Sequence, residues 1–93
     1  MTFSLEITRE AQKSLNKLDN RIIKRIYAHL EEIQIDPFRP RPFADIVKIK
    51  GRMAPPAYRL RVGSLRIEYV VYEEEGLILV LRVFKRRSGS DYR

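Results

Sequence analysis

Apolar and charged side chains alternate over residues 58–69, on either side of a Gly-Ser pair, and this pattern constrains the fold more than any other. Because successive side chains of a strand point to opposite faces, the alternation predicts a β-hairpin with one apolar and one charged face. A two-residue turn at Gly63-Ser64 would place Tyr58 opposite Tyr69 on the apolar face. The other apolar pairs would be Leu60 with Ile67 and Val62 with Leu65.

On the charged face of this hairpin, Arg59 would lie opposite Glu68, and Arg61 would lie opposite Arg66. Like charges directly opposite each other destabilise a sheet, so the second pair favours an anion at this position. A three-residue turn before the last strand would bring Arg82 opposite Glu68, which is the preferred register. Glu68 is therefore expected to neutralise Arg59, and Arg82 with it, rather than to act as a general base.

Two amphipathic helices are predicted in the first half of the chain. Thr8 can cap a helix that runs to about Leu18, because its hydroxyl can accept a hydrogen bond from a backbone N–H of the first turn. Asp19 or Asn20 can cap a second helix, which the proline at position 37 ends. So short a turn between two amphipathic helices predicts an antiparallel helical hairpin.

The remaining elements are predicted to be strands. Residues 3–7 alternate in polarity and indicate a short first strand, and residues 46–51 indicate a short strand or an extended segment. Residues 77–84 are nearly all apolar and predict a central strand with both faces covered. The fold class is therefore α+β in the order β-α-α-β-β-β, with two N-terminal helices packed on a twisted, largely antiparallel sheet. The length predicts a single domain over residues 1–93.

The composition argues against several kinds of chemistry. The chain has no cysteine and one histidine, His29, so disulfides, metal sites and the usual nucleophilic triads are not expected, and no cofactor is predicted. The sequence has no apolar run of about 20 residues and no signal-peptide pattern, which predicts a cytoplasmic protein. Lys and Arg number 19 against 12 Asp and Glu, and this net charge of +7 would attract polyanions such as nucleic acid.

Arginine, lysine and tyrosine remain as candidates for chemistry. Guanidinium groups bind phosphate oxygens through paired hydrogen bonds and stabilise the charge of a phosphorane-like transition state. RNA carries its own nucleophile, the 2′-hydroxyl, so an RNA-cleaving enzyme could work mainly by alignment. The basic run Lys85-Arg86-Arg87 follows the last strand, and Tyr92 beyond it could stack on a base or contact the scissile phosphate.

These features resemble the RelE/ParE toxin superfamily, and the RelE branch in particular. The resemblance implies a toxin of a type II toxin–antitoxin system, an endoribonuclease that enters the ribosomal A site and cuts mRNA. The 2′-oxygen would attack the adjacent phosphorus and leave a 2′,3′-cyclic phosphate. A cognate antitoxin, the ribosome and mRNA would be the partners. The resemblance covers nearly the whole chain and includes the helix pair, the hairpin pattern Tyr-Arg-x-Arg-Val-Gly-x-x-Arg-x-x-Tyr, the segment Lys48-Ile49-Lys50-Gly51 and the terminal Lys85-Arg86-Arg87…Tyr92.

The resemblance also implies roles by position. Arg66 and Arg86 match arginines that hold the phosphate, Arg61 could assist transition-state charge, and Tyr92 matches a tyrosine near the cleavage site. The best-known pattern has lysines where Arg59 and Arg61 stand, and several relatives carry a terminal histidine that is missing here. Arginine is a poor general base, so proton transfer is unassigned and a weak activity is compatible with the sequence. The residues implied to bind RNA are Lys48, Lys50, Arg59, Lys85 and Arg87.

Two other functions stay open. A ParE-like toxin that acts on DNA gyrase without cutting nucleic acid would share the fold, so the site must decide between them. The clustered arginines and Tyr92 favour RNA cleavage over gyrase inhibition. A non-catalytic module that binds RNA or the ribosome would also fit the missing general base.

Overall fold

The computed structural model describes residues 2–51 and 54–86. Within them the chain forms two helices and a mixed sheet of five strands, which confirms the predicted α+β class. The segment after the second helix, predicted as a strand or an extended stretch, is a short strand. The elements are β1 Ser4–Ile7, α1 Arg9–Asn16, α2 Asn20–Ile35, β2 Asp45–Lys48, β3 Ala57–Val62, β4 Leu65–Tyr72 and β5 Leu77–Lys85.

Both helices begin at the predicted caps. The Thr8 hydroxyl accepts a hydrogen bond from the backbone N–H of Ala11 at 3.2 Å. The Asp19 carboxylate accepts one from Ile22 at 3.0 Å. These bonds satisfy backbone donors that have no partner inside the helix. α1 ends at Asn16, slightly before the predicted end.

The sheet has the strand order β1-β5-β4-β3-β2, in which β1 runs parallel to β5 and the other neighbours are antiparallel. The hairpin of β3 and β4 has the predicted register, with Tyr58 opposite Tyr69 and Arg59 opposite Glu68. The helices cover the apolar face of this sheet, and the opposite face stays open. The core between the layers includes Ala11, Leu15, Ile26, Leu30, Ile33, Leu60, Ile67, Tyr69, Ile78 and Val80.

The pairing of β4 with β5 contains a β-bulge. The connection spans residues 73–76, one residue longer than predicted, and would on its own turn Arg82 toward the helices. The register shifts by one where Glu68 faces Arg82 but Tyr69 faces Val80, so Leu81 is the extra residue. The predicted position of Arg82 opposite Glu68 is therefore confirmed, whereas the predicted three-residue turn is wrong.

β5 is central in the sheet, as predicted, but only one of its faces is fully covered. Ile78, Val80 and Val83 are buried beneath the helices. Arg82 on the other face is exposed. The prediction of two covered faces is wrong because both helices pack on the same side of the sheet. The open side of β5 contributes to the surface described next.

The proline-rich loop after α2 is fixed to the helix and to the sheet. The Arg41 guanidinium donates to the Glu32 carbonyl at 2.7 Å and to the Asp36 carbonyl at 3.0 Å. The buried Tyr69 hydroxyl donates to the Pro37 carbonyl at 2.7 Å, and burial raises the pKa of this tyrosine above its usual range. These bonds satisfy backbone acceptors at the helix end and connect the loop to α2 and to β4.

Candidate nucleic-acid interface

The open face of the sheet holds a depression of about 470 Å³, here called the basic groove. It lies opposite the helices, because side chains of β3, β4 and β5 alternate between the core and this face. The sequence predicted several of its residues as candidates for RNA binding or catalysis. The lining residues are Val47, Arg59, Arg61, Arg66, Arg82, Phe84, Lys85 and Arg86.

Strand pairing arranges the floor of the basic groove in two rows that cross four strands. Each row follows the register of directly opposed residues, so its members are neighbours on the same face. The Glu68 row is Arg82, Glu68, Arg59 and Val47 on β5, β4, β3 and β2. The Arg66 row, in the same strand order, is Phe84, Arg66, Arg61 and Asp45.

Glu68 joins two arginines in the first row. Its Oε2 accepts from Nη2 of Arg59 at 2.8 Å, and its Oε1 accepts from Nε of Arg82 at 3.0 Å. Burial acts to raise the pKa of Glu68, but the hydrogen bonds from both arginines outweigh it and hold this pKa below its usual range. The predicted pairing of Glu68 with both arginines is confirmed. The carboxylate is therefore ionised and engaged at both oxygens.

Phe84 is the aromatic side chain that lines the basic groove. The Arg82 guanidinium carbon lies over the ring, 4.6 Å from its centroid, and that of Arg59 lies 5.9 Å away. Both distances fall in the range of cation–π attraction. The ring thus helps to hold the two guanidinium groups that Glu68 also binds.

The second row contains the predicted pair of opposed arginines, Arg61 and Arg66. The anion expected beside them is in part a side chain of the protein, because Nη2 of Arg61 lies 2.7 Å from Oδ2 of Asp45. Arg66 is 9% exposed, and its Nη1 donates to the carbonyls of Gly63 and Leu65 at 3.0 Å each. Arg66 is therefore held beneath its own turn at the end of the groove.

The other candidates from the sequence are placed differently. Lys48 and Lys50 are exposed and do not line the basic groove. Arg86 lines it, and its backbone N–H donates to the Ser64 carbonyl at 2.7 Å. Arg87 and Tyr92 lie outside the described residues.

Sequence reasoning did not name Phe84, Arg82 or Asp45 as site residues. Arg82 could have been found, because its expected register already placed it beside Glu68. Phe84 follows it at a spacing of two in the same strand and hence on the same face. Asp45 lies 16 residues from Arg61 in sequence, and no local pattern joins the two.

Residues 2–51 and 54–86 contain no group of three or more His, Asp or Glu side chains that could hold a metal ion. His29 instead has its Nδ1 3.0 Å from the Phe43 carbonyl oxygen. No helix in these ranges has the length and apolar character needed to cross a bilayer.

Comparison with known proteins identifies the class of fold and then the family. The sequence model of the ParE toxins of type II toxin–antitoxin systems matches residues 5–89. RelE1 of Methanocaldococcus jannaschii is 30% identical over 90 residues, which are 97% of this chain and 96% of the relative. The fold is thus that of the RelE-like toxins. The chain belongs to the RelE/ParE superfamily of type II toxin–antitoxin toxins, as its resemblance predicted.

Solved structures agree with this family. The archaeal RelE–RelB complex from Pyrococcus horikoshii matches with a TM-score of 0.83 and 26% identity, covering 96% of this chain and 100% of the other. The RelB–RelE antitoxin–toxin complex from Methanococcus jannaschii matches with a TM-score of 0.69 and 33% identity, covering 94% and 96%. The two helices on a mixed sheet are therefore shared with RelE proteins.

Proposed function

We propose that this protein is a ribosome-dependent endoribonuclease, an mRNA interferase that cuts mRNA in the A site and so inhibits translation. The observation that carries the proposal is the basic groove, where six Arg and Lys side chains surround an open depression. Such a surface attracts the phosphate backbone of RNA and can bind its oxygens through paired hydrogen bonds.

The proposed reaction is a transfer of the phosphoryl group within RNA. The 2′-oxygen attacks the adjacent phosphorus while the bond from phosphorus to the 5′-oxygen breaks, which gives a 2′,3′-cyclic phosphate and a 5′-hydroxyl. One proton leaves the 2′-hydroxyl and another reaches the departing oxygen. In this scheme Arg66 and Arg86 hold the phosphate oxygens, Arg61 adds positive charge as the transition state forms, and Tyr92 positions the nucleotide.

Alignment of the reacting groups would supply most of the rate enhancement. Glu68 is a poor general base, because its carboxylate has a lowered pKa and both its oxygens accept hydrogen bonds from arginines. Orientation of reacting groups can contribute about 7–11 kcal/mol to a reaction of this kind. The proton transfers are left to groups outside the two rows, so a slow reaction fits the proposal.

The remaining basic residues would bring the protein to RNA. Arg59 would orient the chain of nucleotides in the groove, while Lys48, Lys50, Lys85 and Arg87 would supply long-range attraction. The protein would act in the cytoplasm, where its ribosomal target lies. The matching RelE structures contain RelB, and we extend that to a cognate antitoxin with acidic groups that cover the basic groove.

The alternative is a toxin that acts on DNA gyrase. The observation in its favour is the matching sequence model, which is that of ParE toxins. It would arrest growth with DNA damage and without new mRNA ends. A non-catalytic module would bind RNA or the ribosome and give no cyclic-phosphate product.

The test is primer extension on mRNA from cells in which the protein is induced. We expect wild type to produce new mRNA ends together with growth arrest, and Arg86→Ala to abolish both because it removes a phosphate-binding group. Arg66→Ala should do the same. This variant should also be less stable, because it loses the hydrogen bonds from Arg66 to the Gly63 and Leu65 carbonyls. Arg21→Ala, on the exposed surface of α2, removes the same charge outside the groove and should behave as wild type.

Two outcomes would count against the proposed nuclease. Full toxicity and unchanged mRNA ends in a well-expressed Arg86→Ala protein would contradict the assignment of the groove. Arrest without mRNA ends but with DNA breaks would favour the gyrase toxin.

A further inference from the structure

Phe84 is an aromatic ring in a place where charge alone would not require one. It is partly exposed and lines the basic groove on the side of the sheet away from the core. The ring helps to hold the guanidinium groups of Arg82 and Arg59, but its exposed apolar part offers nothing to a phosphate. The ring therefore points to a ligand with a flat apolar part as well as negative charge.

The guanidinium of Arg82 is fixed over this ring. Its carbon lies 4.6 Å from the ring centroid, and its Nε donates to Glu68 at 3.0 Å. The side chain nevertheless remains 51% exposed. Because a guanidinium group is planar, the side turned away from the ring stays accessible from the groove. Phe84 and the Arg82 guanidinium above it are here called the stacking platform.

The platform lies directly beside the phosphate-binding arginine. Phe84 and Arg66 are opposed residues on neighbouring strands, and neighbouring strands are about 5 Å apart. A phosphate near Arg66 would leave the attached nucleoside within reach of the ring. Unpaired RNA bases are commonly stacked on aromatic side chains and on arginine planes, whereas bases in a duplex are not accessible in this way.

We propose that Phe84 and Arg82 bind one unpaired nucleobase of single-stranded RNA by stacking, and that Glu68 is the positioning residue for Arg82. The subsite takes a base of any identity, because every base has a flat face. The inference rests on the proposed function for its ligand, RNA, but it concerns binding and does not require cleavage.

The test measures how binding depends on each base. A labelled short single-stranded oligoribonucleotide and variants that lack one base at a time are titrated by fluorescence anisotropy at low salt. Wild type should lose roughly 5-fold to 100-fold in affinity for the variant that lacks the stacked base. Phe84→Leu should bind all the variants alike. The matched control Phe43→Leu changes an exposed phenylalanine outside the groove and should behave as wild type.

Two conservative variants separate stacking from charge and from folding. Phe84→Tyr keeps the ring and should retain the dependence on the missing base. Arg82→Lys keeps the charge but loses the plane, so it should reduce that dependence more than the overall affinity. Arg21→Lys on α2 is the control for replacing an exposed arginine by lysine outside the groove. Thermal unfolding monitors whether each variant is folded.

The platform is overturned if wild type binds every base-deleted variant equally, or if folded Phe84→Leu keeps the wild-type dependence. Failure of the nuclease proposal looks different. RNA binding that depends on one base, without new mRNA ends in cells, would support the platform and contradict cleavage. New mRNA ends, with RNA binding that does not depend on any one base, would support cleavage and contradict the platform.

Discussion

Glu68 is the single side chain on which the arrangement of the groove most depends. It is mostly buried, with 13% of its side chain exposed, and it binds Arg59 and Arg82, which are about half exposed. Without the carboxylate these two guanidinium groups would repel each other across one strand. Glu68 therefore orients the two guanidinium groups for a ligand and also cancels part of their positive charge.

Glu68→Gln should lower the free energy of unfolding at neutral pH by about 1–2 kcal/mol, because charged hydrogen bonds become neutral ones. The pKa of Glu68 is lowered in the folded state, so its stabilising effect is complete above the ordinary value of 4.5 and is lost as pH falls through the lower folded value. Urea unfolding from neutral to acidic pH should show the two proteins converging in stability. Glu74→Gln, in an exposed turn, is the control, and a wild-type advantage that persists in acid would contradict the assignment.

At the same scale, the sequence predicted some contacts and missed others for a physical reason. The pairing of Arg59 with Glu68 follows from a tight turn and strict alternation, both of which are local. The pairing of Arg61 with Asp45 depends on the path of the loop after α2, which tertiary bonds of Arg41 and Tyr69 determine. No pattern around Asp45 predicts where that loop returns to the sheet.

At the scale of elements, Thr8 connects the start of α1 to the bulge of β5. Its hydroxyl accepts from Ala11 at 3.2 Å and donates to the Leu81 carbonyl at 2.9 Å. Its backbone N–H donates to Val80 at 3.0 Å. The same residue thus begins a helix and binds the strand whose extra residue turns Arg82 toward the groove.

Thr8→Ala should lower the free energy of unfolding by about 1–2 kcal/mol, since both the cap and the bond to the bulge are lost. Thr8→Ser keeps the hydroxyl and should remain close to wild type. Equilibrium denaturation in urea measures the difference. Equal losses in the two variants would show that the methyl group, rather than the hydroxyl, matters at this position.

The caps could be predicted because capping chemistry acts within a few residues. The bulge could not, since residues 77–84 are nearly all apolar and carry little alternation from which to locate an extra residue. The same apolar run predicted that both faces of β5 are covered. The leucines on the open side of β5 are partly exposed. An apolar run therefore does not by itself show that both faces of a strand are covered.

At the scale of the whole molecule, the chain carries a net charge of +7, and more than half of this excess lies where the sheet is open. Six basic side chains line the groove, while Glu68 and Asp45 face them, which leaves an excess of about four positive charges. Binding of single-stranded RNA should therefore depend strongly on salt, because each neutralised phosphate releases counterions.

We expect the logarithm of RNA affinity to fall linearly with the logarithm of salt concentration, with a slope of about −3. Arg86→Ala should make this slope shallower by about 0.7, whereas Arg21→Ala should leave it unchanged. Anisotropy titrations over a series of salt concentrations measure both. An affinity that does not vary with salt would mean that phosphate contacts do not dominate binding.

The position of β5 has a consequence for synthesis of the protein. β5 follows every other strand along the chain, yet it lies between β1 and β4 in the sheet. β1 emerges from the ribosome early but has no neighbouring strand until β5 follows. Arg82 and Phe84 arrive on that same strand. A nascent chain therefore cannot form the groove until almost all of its described residues have been translated.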